Sequence, residues 1–196
     1  FKKIQDDPDK KNQYLDVAIN HFTNAATIKP SDSNTYTTLA KCYLDKGDKV
    51  AAKDAVITAV EKNPESFDAN FSAGQILSRA GLNSKQVLPY YKKAVEIEPS
   101  NSKVLRELAG TYYDLGEKKE SVTIFKNAIS NEIDKIVKAD LYFNLGVIYS
   151  QMCDYEESEK AFDEAFFLNE EDFEAALGMA RSYEGLGDNY LNGGEG

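Results

Sequence analysis

The chain has 196 residues, 42% of them hydrophobic and 29% charged, and its 33 acidic and 23 basic side chains leave a formal charge of -10. The longest uninterrupted apolar run, Ala165 to Leu168, is far short of the roughly 18 residues that span a bilayer. The acid excess also opposes binding to a phosphate backbone, where Lys and Arg supply most of the affinity.

Beginning at Phe1 rather than Met, the chain reads as a fragment or a processed product, with no charged-then-apolar leader in view. Asp7 and Pro8 read as an N-cap and a first-turn proline, which predicts a first long helix from about residue 8. Tyr36, Leu39, Ala40 and Tyr43 then line one face of a helix. Gly47 supplies the left-handed conformation that ends it, and Asp48 caps the next one. Ala52, Val56 and Ala59 mark that helix's buried face, and Pro64 cannot continue it. Further on, one residue is inserted between Gly81 and Val87, and Pro89 predicts an irregular helix start. Asn131 to Val137 adds residues and lacks a terminal proline, which predicts a lengthened helix after it. Asp154 and Glu157 read as a capping-box variant. Gly187 reads as a helix end. Asp188 to Leu191 begin another helix that Asn192, Gly193, Gly194, Glu195 and Gly196 cannot sustain, because Gly costs about 1 kcal/mol relative to Ala. The last well-formed helix is therefore expected over about 173–186.

These marks recur. Pro30, Pro64 and Pro99 stand 34 and 35 residues apart, and Gly47, Gly81, Gly116, Cys153 and Gly187 step by 34, 35, 37 and 34. Four residues before each of the latter lies Tyr43, Leu77, Tyr112, Tyr149 or Tyr183, and small residues recur at Ala40, Gly74, Ala109, Gly146 and Ala180. Such a period signifies stacked supersecondary units, here two antiparallel helices joined by a tight turn. Cys42 and Cys153 fall in helical patterns and read as free, buried thiols. They suit a reducing, cytoplasmic setting, with a periplasmic one as the alternative.

Tyr142, Leu145, Gly146 and Tyr149, followed by Ser158, Phe162 and Ala165, resemble the tetratricopeptide repeat (TPR) motif W-x2-L-G-x2-Y…A-x3-F. Tyr replaces its Trp and Ser its first Ala. Ala18, Phe22, Ala25 and Pro30 resemble the second half of an earlier unit. The resemblance implies an all-α, right-handed solenoid of antiparallel helix-turn-helix repeats. It would be one array over 1–196, with units at about 1–32, 33–66, 67–101, 102–138 and 139–172 and a partial one at 173–196. It also implies a non-catalytic protein-protein interaction scaffold that holds a protein or peptide segment on a concave face lined by the first helix of each unit. Carried over residue by residue, that groove comprises Thr37 and Lys41; Phe71, Gln75 and Arg79; Lys103, Arg106 and Tyr113; Phe143, Asn144 and Val147; and Arg181. With their neighbours Asp45, Asp68, Asp114, Asp140, Glu174 and Glu184, the five cations leave the groove nearly neutral. The carboxylate clamp of some family members is not expected, since no frame of this sequence supplies its five groups.

Catalysis has little to stand on. His21 is the sole imidazole and reads as a surface or interhelical residue. No cluster has metal-ligand spacing, neither Cys has a second imidazole to activate it, and the glycines sit at helix ends rather than in a phosphate-cradling loop. No metal or cofactor is expected. The segment from Asp154 to Glu174 concentrates the negative charge; it reads as a solvated outer helix, with a docking patch for a basic partner as the alternative. A helical-repeat RNA reader would need a basic face repeated in every unit, which the charge opposes. Self-assembly through exposed repeat ends is a further alternative.

Overall fold

Side-chain caps set where most of the helices begin. The computed structural model describes residues 8–192, and among these the backbone forms ten helices and no strand. In chain order they are α1 (Pro8–Ile28), α2 (Ser33–Lys46), α3 (Lys49–Lys62), α4 (Phe67–Arg79), α5 (Ser84–Ile97), α6 (Ser102–Asp114), α7 (Lys118–Asn131), α8 (Lys135–Gln151), α9 (Tyr155–Leu168) and α10 (Phe173–Asn192). Asp32, Asp48, Ser66, Asn101, Asp134 and Asp172 each accept a backbone N–H of the first turn that follows, satisfying donors that a helix start otherwise leaves orphaned.

Two of the expected starts differ. Asn83 and Gln86 form a full capping box ahead of α5, so this helix begins regularly and simply carries Pro89 in its second turn. Asp154 stands at the N-cap of α9 but accepts no side-chain cap bond. Glu157, its supposed capping-box partner, is held instead by Lys160 at 2.7 Å. Asp7 lies outside the described residues.

The turns show where left-handed backbone is needed. Gly47, Gly81 and Gly116 have φ of 87°, 102° and 81°, a region that costs L-residues about 1–2 kcal/mol. Cys153 occupies the fourth such position at φ 59°. It is therefore an exposed turn residue and not the buried helical thiol expected, whereas Cys42 is half-buried. Gly187 also departs from its register. It lies inside α10, which runs unbroken to Asn192 instead of ending near residue 186. Gly187 is not among the glycines with positive φ, so no left-handed turn forms there and the helix runs on.

The chain divides into two compact units, Phe1–Glu98 and Pro99–Gly196. In the first, α1 to α5 each pack on the next, and α2 also packs on α4. Its core is built from Leu39, Ala40, Ala52, Val56 and Ala59, and from Ala69, Ala73, Leu77, Tyr91 and Ala94. The Tyr91 ring fits only because Gly74 has no side chain: a Cβ there would stand 2.4 Å from the ring. In the second unit, α6 to α10 each pack on the next, and α8 also meets α10. Leu145, Gly146 and Tyr149 are buried, and Gly146 packs on the Phe162 ring, 2.9 Å from where a Cβ would stand, as the repeat register predicts. Buried Ser121 and Ser158 donate to the carbonyls of Ala109 and Gly146 at 2.8 and 2.9 Å, which offsets the cost of burying a hydroxyl where the motif has alanine. The extra residues before α8 give it 17 residues, against 14 for α7 and α9.

Candidate functional site

In the first unit, the residues transferred from the repeat register have different fates. Thr37 is 5% exposed and its hydroxyl donates to the Ser33 carbonyl at 3.1 Å, so it is packed rather than presented. Lys41 is exposed and Gln75 half-buried. Phe71 stacks on Phe67, with ring centroids 5.5 Å apart, and tilts against Tyr91 at 6.3 Å, leaving only part of its surface open. Arg79 faces Asp45 at 4.0 Å, a partner on the preceding first helix and not Asp68.

In the second unit, Lys103 is exposed, while Arg106 and Tyr113 are half-buried on α6. Arg106 is occupied by its neighbour Glu107 at 3.5 Å. Asn144 is exposed, and its amide donates to the Asp140 carbonyl at 2.7 Å. Phe143, Val147 and Arg181 are brought together in a cleft of about 230 Å3 between α8 and α10.

The geometry of this cleft follows from α8 and α10 each offering the same face of the repeat. Its floor is Phe143, Val147 and the edge of Phe162, whose ring meets Phe143 edge-on at 5.5 Å. Ser150, Gln151, Glu174 and Arg181 form the polar margin. Gly178 completes the lining, and a Cβ there would lie 2.6 Å from the Phe162 ring. Arg181 makes no ion pair among the described residues, unlike Arg79 and Arg106. The cleft thus combines an aromatic floor, one free guanidinium, one carboxylate and two uncharged hydrogen-bonding groups. That set suits an apolar side chain flanked by backbone and polar groups, the composition of a peptide segment.

Sequence reasoning places Phe143, Val147 and Arg181 on this face but misses Phe162 and Gly178. Phe162 reads purely as core from its motif position. Gly178 lets α10 pack closely on that ring, which is itself buried at 4% exposure and so backs the cleft from below.

Among the described residues, no helix is long and apolar enough to cross a membrane. Nor, among the described residues, is any group of three or more His, Cys, Asp or Glu side chains placed to hold a metal ion.

Tetratricopeptide repeat family models match residues 37–102 and 139–172, together just over half of the chain. No curated protein matches it. Among solved structures, that of MamA is 20% identical with a TM-score of 0.74, over 81% of this chain and 84% of MamA. YrrB is 21% identical with a TM-score of 0.73, over 84% of this chain and 83% of YrrB. The C-terminal part of a TPR repeat-containing protein from Cytophaga hutchinsonii is 17% identical with a TM-score of 0.75, over 92% of this chain and 69% of that one. Helix pairs in register, left-handed turns at the repeat period and glycine-aromatic packing agree with these matches: the chain is an all-α helical-repeat protein and belongs to the tetratricopeptide repeat family.

Proposed function

We propose that this chain is a non-catalytic protein-interaction module that holds a peptide segment in the cleft between α8 and α10. The observation that carries the reading is the convergence of Phe143, Val147 and Phe162 with the unpaired Arg181. Aromatic and arginine side chains are the usual anchors of binding energy. One structure of like fold, YrrB, is described as a TPR protein with an unusual peptide-binding site, which supports a peptide as the class of ligand. The preferred segment carries an apolar or aromatic side chain for the floor and a carboxylate for Arg181.

The test is selection of peptides from a displayed random library on the whole chain, followed by titration of the enriched sequences. Phe143→Ala with Arg181→Glu is expected to weaken them at least tenfold while leaving helicity unchanged. Unaltered binding to that double variant sinks the proposal. Under the same reading, RNA in a gel-shift assay at near-physiological salt is not retained, whereas tight, salt-dependent retention favours an RNA-binding module.

A second reading, self-assembly, is favoured by one observation. Phe173, Tyr183 and Tyr190 of α10 are 72%, 59% and 86% exposed, and they share a helix face with exposed Ala180. A concentration-dependent mass in sedimentation equilibrium, abolished by Tyr183→Glu, identifies this face as a contact between copies. A mass independent of concentration rejects it.

A further inference from the structure

The opposite side of α8 carries a larger cavity that the repeat register does not foresee. It has a volume of about 410 Å3 and is walled by α7, α8 and α9, within the roughly 300–1,000 Å3 range of small-molecule sites. Ile129, Leu145 and Ala161 form an apolar floor, and the rings of Tyr142 and Tyr149 line one side. Lys126, Lys138 and Lys160 stand around the mouth with Glu157 and Glu164.

The cavity arises where this chain departs from its own period. The step from Gly116 to Cys153 is 37 residues, against 34 or 35 elsewhere, and the surplus forms the link Glu132–Asp134 and the first turn of α8. Glu132 fixes that link by accepting the amides of Ile133 and Asp134 at 2.9 Å and the Ser102 hydroxyl at 2.5 Å. Lys138 belongs to the added turn. The residue one turn on, Tyr142, is half-buried, whereas its counterpart in α6, Leu105, is 1% exposed. A position that is closed core in one repeat is thus an aromatic wall in the next.

The charges around the mouth are unevenly satisfied. Lys160 is neutralised by Glu157 at 2.7 Å. Lys126 lies over the Tyr149 ring, 5.5 Å from its centroid. Lys138 has no partner among the described residues. Three ammonium groups against two carboxylates leave one positive charge, within the most acidic half of an acidic molecule. Burial, and then the Glu164 carboxylate, raise the Tyr142 phenol above its ordinary value, so it remains a neutral O–H donor at physiological pH.

We propose that this pocket binds a small aromatic monocarboxylate, with its ring against the tyrosine-lined wall over the apolar floor and its carboxylate on Lys138 and Lys126. The single excess positive charge matches one anionic group. Tyrosine faces favour an aromatic body, and a charge-assisted hydrogen bond to an ammonium is about twice as strong as a neutral one. The site is independent of the peptide cleft, which lies on the other face of α8.

The probe is 3-phenylpropionate, followed on the whole chain by two-dimensional 1H–15N NMR, with the neutral 3-phenylpropionamide as its comparison. The acid is expected to saturate a single site, to shift the amides of residues 126–130 and 138–149, and to bind at least tenfold more tightly than the amide. Lys138→Met, which keeps the stem and removes the charge, is expected to lower affinity at least fivefold, and Lys138→Arg to restore most of it. Phe143→Ala, in the other cleft, leaves binding unchanged. Circular dichroism melting shows that each variant is folded, and Lys126→Met supplies a second charge removal if the first disturbs α8. Absence of saturable binding, equal affinity for the amide, indifference to both lysine changes, or shifts confined to the α8–α10 cleft each overturn the proposal.

Discussion

Helices α8 and α10 hold the same register of the repeat and live in different surroundings. On α8, Gly146 is buried against Phe162 and Tyr149 is 6% exposed. On α10, the corresponding Ala180 is exposed and Tyr183 is 59% exposed, its hydroxyl donating to Glu159 at 2.9 Å. The difference is the helix that follows. Phe162 and Ser158 of α9 pack on α8 at Gly146 and on α10 at Gly178 and Ser182, and among the described residues no further helix follows to cover the face that includes Ala180 and Tyr183. Burial in a helical repeat is thus conferred by the neighbouring helix, and one motif position is core in one unit and surface in the next.

Stability measurements sharpen this contrast. The largest effect is expected at Phe162, which fills the space left by two glycines, so Phe162→Ala is expected to cost about 3–5 kcal/mol in urea unfolding. Gly146→Leu, which forces atoms into that ring, is expected to cost about 1–3 kcal/mol; a neutral result at either site breaks the assigned register. A matched pair tests the comparison itself. Tyr149→Ala removes a buried ring and is expected to cost about 3 kcal/mol, whereas Tyr183→Ala on the open face is expected to stay within about 0.5 kcal/mol. Equal losses would mean that the α10 face is covered in solution.

Two smaller effects follow from the turns. Cys153→Gly relieves an L-residue of left-handed backbone and is expected to stabilise the chain by about 1 kcal/mol. Gly116→Ala, at the equivalent turn, is expected to destabilise it by a similar amount. The smallest effect is at Glu132, whose carboxyl is held below the ordinary glutamate value by the Ser102 hydroxyl and then by the Asp134 amide. Its folded pKa is depressed, so its stabilisation is fully present above the unfolded-state value and is lost as pH falls through the folded one. Glu132→Gln is accordingly expected to lower the neutral plateau slightly and to flatten the acid limb of the stability profile, so that the two chains converge at low pH.

The periodic features of the molecule are legible because they repeat. Tyr43, Leu77, Tyr112 and Tyr149 announce paired helices, and Gly47, Gly81 and Gly116 announce left-handed turns, since each residue answers to a local backbone requirement. Cys153 shows the limit: its register was readable, yet its side chain gave no sign of exposure. Gly187 shows another, because it lacks the positive φ of the turn glycines and the helix runs on through it. The groove was half legible, its residues placed on the first helix of each unit by spacing, but Thr37 proved buried and Arg106 tied to Glu107, outcomes set by neighbours that no spacing rule names. The cavity behind Lys138 was not foreseen, because it depends on how α7, α8 and α9 pack in space.

The most direct test of the interaction reading is the titration of a library-selected peptide into isotopically labelled chain. The account predicts saturable shifts centred on Phe143, Val147 and Arg181, and at least a tenfold loss of affinity in the Phe143→Ala, Arg181→Glu variant. Enriched peptides that shift residues elsewhere and bind that variant with full affinity would contradict it.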